Sequence, residues 1–309
     1  MEKTFDVTAL GEGMLEFNQV RPGEPGFLQG YGGDTSNAVI AAARAGARCA
    51  YLSRVGGDAF GRSLLDLWSD EGIDTTAIEL DAVRPTGIYF VTHGAGGHAF
   101  SYLRSGSAAS SMTPQWLQHG AAKDIVVASK ILHVSGISLA ISSSACDTVF
   151  AATELARAAG TLVSFDANLR LKLWPLARAR ACIAQAVSLC DIFLPSLDDA
   201  FDLCGLDAPD QIVDWGHALG AKAVALKLGG AGALVSDGTR RERIAGHAVK
   251  PVDATGAGDC FCGNLLARMA QGSSVFEAGR YANAAAALAV QAYGAVAPLP
   301  RPDAVRALL

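Results

Sequence analysis

The sequence predicts an α/β fold: a mostly parallel central sheet flanked by helices, with a small β lid projecting from it. Three observations carry this. Short apolar runs alternate with longer segments of helical spacing, the pattern of parallel strands joined by crossover helices. One stretch, residues 86–104, breaks that rhythm with two adjacent strand-like runs. Half of the 309 residues are hydrophobic and 18% are charged, so the chain can bury a sizeable core and does not read as disordered. Without a repeat or a low-complexity linker, residues 1–309 read as one domain, with lid segments near 13–30 and 86–104 inserted in it.

Taken in order, residues 6–11 form a first strand. A helix opens near Thr35 or Ser36, runs through Ala38-Val39-Ile40-Ala41 and stops at Gly46, which suits a left-handed C-terminal cap. A strand over 49–55 follows, then Asp58 caps a helix over 59–71 that Gly72 ends. Four more short apolar strands fall at 131–135, 162–166, 192–194 and 223–228, with helical spacing between them at 144–159, 176–187 and 211–219. Beyond Val252 the pattern is helical, over 257–271 and 274–290. The exception pairs Gly87-Ile88-Tyr89-Phe90-Val91-Thr92 with His98-Ala99-Phe100-Ser101-Tyr102-Leu103-Arg104 across Gly94-Ala95-Gly96-Gly97, a hairpin. Residues 13–30, with Pro22 and Pro25, are irregular and belong to the same lid.

Composition excludes several roles. Lys plus Arg is 25 and Asp plus Glu is 30, a net charge of −5, which argues against nucleic acid or an anionic membrane as the main partner. No run approaches the roughly 20 apolar residues of a membrane span. The start, Met1-Glu2-Lys3-Thr4-Phe5-Asp6, shows no secretion signal. The seven cysteines (Cys49, Cys146, Cys182, Cys190, Cys204, Cys260, Cys262) are odd in number and lack CxxC spacing, so buried free thiols and a cytoplasmic protein are expected. His93, His98, His119, His133, His217 and His247 show no metal-ligand spacing. Arg240-Arg241-Glu242-Arg243 reads as a solvated loop.

The sharpest signal is Val252-Asp253-Ala254-Thr255-Gly256-Ala257-Gly258-Asp259-Cys260-Phe261. A strand ends, a glycine-rich turn follows and a helix begins, so free backbone N–H groups and the positive helix end point at one place, suited to phosphate. Gly256 and Gly258 let the backbone approach an anion closely. A carboxylate at Asp259 repels phosphate there, unless its task is to take a proton from an attacking hydroxyl while the N–H groups hold the transferred group. The simpler reading of Asp253 and Asp259 is helix capping.

The run Asp253 to Asp259 closely resembles the C-terminal signature of the ribokinase-like (PfkB) family of carbohydrate kinases. Gly32-Gly33-Asp34-Thr35-Ser36-Asn37 is similar to that family's GG-x-x-x-N sugar-binding turn, and Gly56-Gly57-Asp58-Ala59-Phe60-Gly61 to the element that follows it. The resemblance spans nearly the whole chain and implies a three-layer αβα sandwich. It implies Asp259 as general base, an anion hole of Gly256, Ala257 and Gly258, ATP as donor and Mg2+ bridging its phosphates. A monovalent cation, potassium, would sit near Asp253 and Thr255. Leu226-Lys227-Leu228-Gly229-Gly230-Ala231-Gly232 resembles the family's nucleotide strand–turn, placing Lys227, Gly229 and Gly232 at ATP, although an ordinary hairpin would read alike. Asn283 matches a position facing adenine. The family's Asn-x-x-Glu element corresponds to Ser196-Leu197-Asp198-Asp199, a departure that leaves Asp199 to hold a magnesium water.

The lid narrows the acceptor. Tyr102-Leu103-Arg104 followed by a small-residue run, and Asp166-Ala167-Asn168-Leu169-Arg170 after a strand, resemble segments of 2-keto-3-deoxygluconate kinases. An arginine aimed at a sugar suits a carboxylate, which its fork binds by two hydrogen bonds; otherwise Arg104 is a solvated strand-end charge. Tyr89 would cover the same pocket. Asp166 and Asn168 would line the sugar or phosphate site, and Arg170 would meet a sugar carboxylate or a nucleotide phosphate. Asp34, beside Gly33, would accept hydrogen bonds from sugar hydroxyls and Asn37 would donate one. The reading is an ATP-dependent kinase of a primary sugar hydroxyl, forming 2-keto-3-deoxygluconate 6-phosphate. The alternatives are a neutral-sugar kinase of the fructokinase or ribokinase type, or a sugar-binding regulator without activity. A homo-oligomer through the lid is expected from its open strand edges.

Overall fold

The computed structural model describes residues 3–94, 97–118 and 120–309. The hairpin turn expected at Gly94 to Gly97 therefore has Ala95 and Gly96 outside the described residues, as is His119. The strands are β1 (Phe5–Leu10), β2 (Met14–Gln19), β3 (Phe27–Gly32), β4 (Cys49–Gly56), β5 (Ile78–Asp81), β6 (Ile88–Gly94) and β7 (Gly97–Leu103). They continue as β8 (Ser129–Ser135), β9 (Leu162–Asp166), β10 (Ile192–Phe193), β11 (Ala223–Lys227), β12 (Gly232–Ser236) and β13 (Arg241–Ala245).

Nine of them form the main sheet in the order β13-β12-β11-β10-β9-β8-β1-β4-β5. Its neighbours are parallel except β11–β12 and β12–β13. Because helices cover both faces, the inner strands are apolar throughout rather than alternating. In β4, Cys49 and Tyr51 join the core on one face while Ala50 and Leu52 join the core on the other. The first core is shared with helices Asp34–Arg44, Ala257–Ala270 and Val275–Ala289, the second with helices Ser143–Ala158, Leu176–Leu189 and Pro209–Leu219. These are the three layers.

The remaining four strands make the lid, in the order β3-β2-β6-β7. The hairpin β6–β7 is as expected. Residues 13–30, read as irregular, instead form the antiparallel pair β2–β3, with Met14 opposite Gly32 and Gln19 opposite Phe27. A second difference concerns Arg240 to Arg243. Arg241–Ala245 is strand β13, and Arg241 pairs with Asp210 and Asp214 while Arg280 pairs with Glu242. Charged residues belong on the edge of a sheet, where they meet water and block further pairing.

Packing at the start of helix Asp34–Arg44 fixes the residues that matter. Trp68 Nε1 donates to Ser36 Oγ at 2.9 Å and Tyr51 OH bonds Thr35 Oγ1 at 3.0 Å, both buried. Gly33, at φ +100°, turns the chain into this helix, and a Cβ there would run into the Glu12 carbonyl. Further along, Gly263 of helix Ala257–Ala270 lies against Ala38, whose carbonyl oxygen occupies the space a Cβ would need. That contact draws together two helix starts far apart in sequence.

Candidate active site

Where those helix starts meet, Asn37 Nδ2 donates to Asp259 Oδ2 at 2.8 Å, across 222 residues of sequence. Burial first, then the neighbouring Asp34 carboxylate, push Asp259 up to about 7, while the Asn37 hydrogen bond pulls it back. Asn37 gives one of its two amide N–H groups to Asp259 and keeps the other; its Oδ1 is buried without a hydrogen-bond partner and can accept from a hydroxyl.

Asp259 lies in the first turn of helix Ala257–Ala270, whose N-cap is Gly256 at φ +74°. No side chain caps this helix, so neither Asp253 nor Asp259 is the cap that the simpler sequence reading allowed. Asp253 Oδ1 accepts from Thr255 N and Oγ1 at 2.9 and 2.6 Å, and its Oδ2 from Gly294 N at 3.0 Å, tying the turn to the 294 loop. One member of the expected anion hole is corrected: Ala257 N–H donates to the Ala254 carbonyl at 3.2 Å. The first-turn N–H groups of Gly258 and Asp259 are the ones a helix leaves open there.

Close by, Asp34 Oδ2 accepts from Asn168 Nδ2 at 3.0 Å. Asn168 holds a φ of +30°, the one positive value among the described non-glycine residues, and so bends the chain after β9 back toward the first helix. From the lid, Tyr89 OH donates to Glu16 Oε2 at 2.6 Å, and the Tyr89 and Tyr102 rings lie 5.7 Å apart. Burial raises the Glu16 carboxyl above its usual range. A cavity of about 640 Å³ opens between this face of the lid and residues 293–297, with Glu16, Asn18, His93 and Tyr293 in its lining.

Arg104 departs from expectation. Its guanidinium is ion-paired with Glu12, and the Glu12 side chain is 1% exposed. Glu12 also accepts from Ser107 Oγ, while Arg104 Nε is buried without a partner. The arginine is thus neither a solvated charge nor an unpaired cation waiting for a carboxylate. Glu12 and Glu16 were not foreseen as site residues. Only Glu16 carried a signal, since alternation along β2 puts it on the face that Tyr89 shares.

A second cavity, of about 410 Å³, is lined by Lys227, Gly229, Gly232, Gly258 and Asn283, the residues expected at ATP, together with Gly246, His247, Ala248, Val249 and Pro251, which were not foreseen. Asn283 Nδ2 donates to the Ala245 carbonyl at 2.8 Å, which leaves its carbonyl oxygen to accept. The turn after β11 does continue into an antiparallel strand, so the hairpin reading and the cavity-lining reading are both realised. Asp166 faces this side: Lys227 Nζ lies 2.7 Å from its Oδ2. Asp199 has its carboxyl raised by burial and then by Asp166, so a cation beside it would be favoured. Arg170 is exposed, donating to the Leu169 carbonyl at 2.7 Å, and is not drawn into either cavity.

The chain belongs to the pfkB family carbohydrate kinases, whose family model matches residues 3–302. It is accordingly a phosphotransferase with an alcohol group as acceptor. It is 33% identical over 319 residues to the 2-dehydro-3-deoxygluconokinase of Thermoproteus tenax, covering 100% of this chain and 95% of that one. It is 32% identical over 320 residues to probable fructokinase-7 of Arabidopsis thaliana, covering 98% and 92%. A putative ribokinase II from E. coli, solved in complex with ATP and Mg2+, superimposes with a TM-score of 0.90 at 27% identity, covering 100% of this chain and 99% of that one. Among the described residues no helix is long and apolar enough to cross a membrane.

Proposed function

We propose that the protein transfers the γ-phosphate of ATP to the primary hydroxyl of 2-keto-3-deoxygluconate, forming the 6-phosphate. The observation that carries this is Asp259, a carboxyl raised to about 7 beside the open N–H groups of a helix start, with the nucleotide cavity on one side. A base needs to be ionised yet proton-hungry near neutral pH, and that environment supplies both. Asp259 takes the hydroxyl proton; Gly258 and Asp259 N–H groups hold the γ-phosphoryl; Asn37 Oδ1 and Asp34 orient the sugar. Magnesium supplies charge neutralisation between the nucleotide phosphates, and Asp199 would hold one of its waters. Potassium beside Asp253 and Thr255 would take their side-chain oxygens, the ligand type that hard cations use.

The acid substrate is supported by the 2-dehydro-3-deoxygluconokinase among the relatives, and Arg104 would read its carboxylate by sharing its guanidinium with Glu12. One observation favours a second reading, a neutral sugar such as fructose: Glu12 already balances the Arg104 charge. A coupled ADP-release assay on 2-keto-3-deoxygluconate, fructose and ribose decides. Efficient turnover of the acid alone is expected; a higher kcat/KM on fructose would establish the second reading.

The pH dependence follows from Asp259. Because the base acts ionised, kcat/KM falls as pH drops below about 7. Asn37 stabilises the charged carboxylate, so Asn37→Ala shifts that acid limb to higher pH. A limb that stays fixed or moves down would contradict the assignment. The seven free cysteines support a reducing, cytoplasmic compartment. The open lid edges β3 and β7, with Leu28 and Leu103 exposed, support a homo-oligomer through the lid.

A further inference from the structure

We propose that the Lys227 ammonium, and not only the backbone of its turn, contacts the γ-phosphoryl group during transfer, with Asp166 as the residue that positions it. This rests on the phosphoryl-transfer reading above. Lys227 ends β11 with its side chain 14% exposed, and it lines the nucleotide cavity. A Cβ placed on Gly258 would lie 3.6 Å from Lys227 Nζ, so the ammonium sits against the first turn of helix Ala257–Ala270. A cation beside the positive end of a helix is unfavourable by itself. The two positive features converge on a point that an anion would relieve.

Until an anion arrives, Asp166 offsets the charge. Its Oδ2 lies 2.7 Å from Lys227 Nζ and 3.2 Å from the Cys262 sulfur, and its Oδ1 accepts from Asn168 N at 3.2 Å. Both oxygens are committed, and Asp166 is 3% exposed, so it acts through Lys227 rather than on the sugar. Asn168 continues the chain of contacts to Asp34. Lys227 has three protons to give; Asp166 takes one and the Cys262 sulfur, at 3.6 Å, lies near a second, leaving one for the cavity. In the transfer, the bond from the acceptor oxygen to phosphorus forms as the bond from phosphorus to the β,γ-bridging oxygen breaks. The hydroxyl proton goes to Asp259 and the electron pair leaves with ADP. Lys227 keeps its proton and offsets charge on the phosphoryl oxygens.

The test compares Lys227→Met with wild type. Its kcat should fall by about 10²- to 10³-fold, the loss typical of one removed donor to developing charge. A merely structural lysine would not distinguish nucleotides, so titration calorimetry provides the second readout. Affinity for ADP should stay within about twofold while that for the β,γ-imido analogue of ATP weakens by about tenfold. If Lys227→Met fails to fold because Asp166 is left unpaired, Lys227→Met with Asp166→Asn keeps the cluster neutral, and the same losses are expected of it. A wild-type enzyme that phosphorylates a sugar while either variant keeps kcat within threefold overturns the assignment and leaves the kinase reading standing. Wild-type protein that phosphorylates no sugar overturns that reading and the assignment with it.

Discussion

Asp259→Asn is expected to lower kcat by about 10²- to 10⁴-fold, the usual contribution of a positioned general base. The loss should be chemical rather than structural. Asparagine is the same size, can still accept from Asn37, and removes a buried charge that faces Asp34. The linkage sign supports this. Asp259 is raised from 3.8 to about 7 in the folded state, so between those values the native protein holds a proton that the unfolded chain has lost. Stability therefore falls as pH rises through that window, and the wild type at pH 8 carries the full penalty. The variant lacks it and should melt no lower than wild type at pH 8. Loss of turnover with a lower melting temperature would instead mean that Asp259 holds the helix start together.

The second large effect concerns Arg104. Arg104→Ala should destabilise the protein by about 3–5 kcal/mol, because it strands Glu12 as an unpaired charge in a site that is 1% exposed. A simple affinity comparison would then confuse unfolding with recognition. Arg104→Met combined with Glu12→Gln removes both charges at once and should regain most of the stability in urea unfolding. If Arg104 reads a sugar carboxylate, this double variant still shows a KM for 2-keto-3-deoxygluconate raised by about tenfold or more, the cost of one charged hydrogen-bonding partner. Recovery of both stability and KM would reduce the pair to a structural staple of the lid.

What the sequence made legible, and what it did not, follows from where each signal resides. The inner strands β1, β4, β8 and β9 announce themselves because burial on both faces demands an unbroken apolar run. Of the main sheet, the edge strands β5 and β13 escaped or were misread, and β12, next to β13, was foreseen only as the return strand of a possible hairpin. Residues such as Glu79, Arg241 and Glu242 keep an edge soluble and in doing so erase the apolar pattern. The glycine turn and Asp259 were readable as a local motif, since a helix start and its open N–H groups are built from consecutive residues. The Asn37–Asp259 bond was not, because it depends on helices brought into contact at Gly263, 226 positions beyond Asn37. Glu12 was hidden for the same reason: its partner Arg104 lies 92 residues away, and nothing local marks an acidic residue as a counter-ion. Asp166 was assigned to the sugar or phosphate site; its side chain meets Lys227, Cys262 and the Asn168 backbone N–H.

Phosphate is expected to pass from ATP to a primary hydroxyl under the control of Asp259. Proton-coupled phosphorus NMR of a reaction with ATP, Mg2+ and 2-keto-3-deoxygluconate tests it most directly, since a phosphate on a CH2–O group couples to two protons. A new phosphomonoester triplet that grows as ADP appears, and is absent with Asp259→Asn, is the expected result. Inorganic phosphate alone, or a doublet from a secondary alcohol, would contradict it.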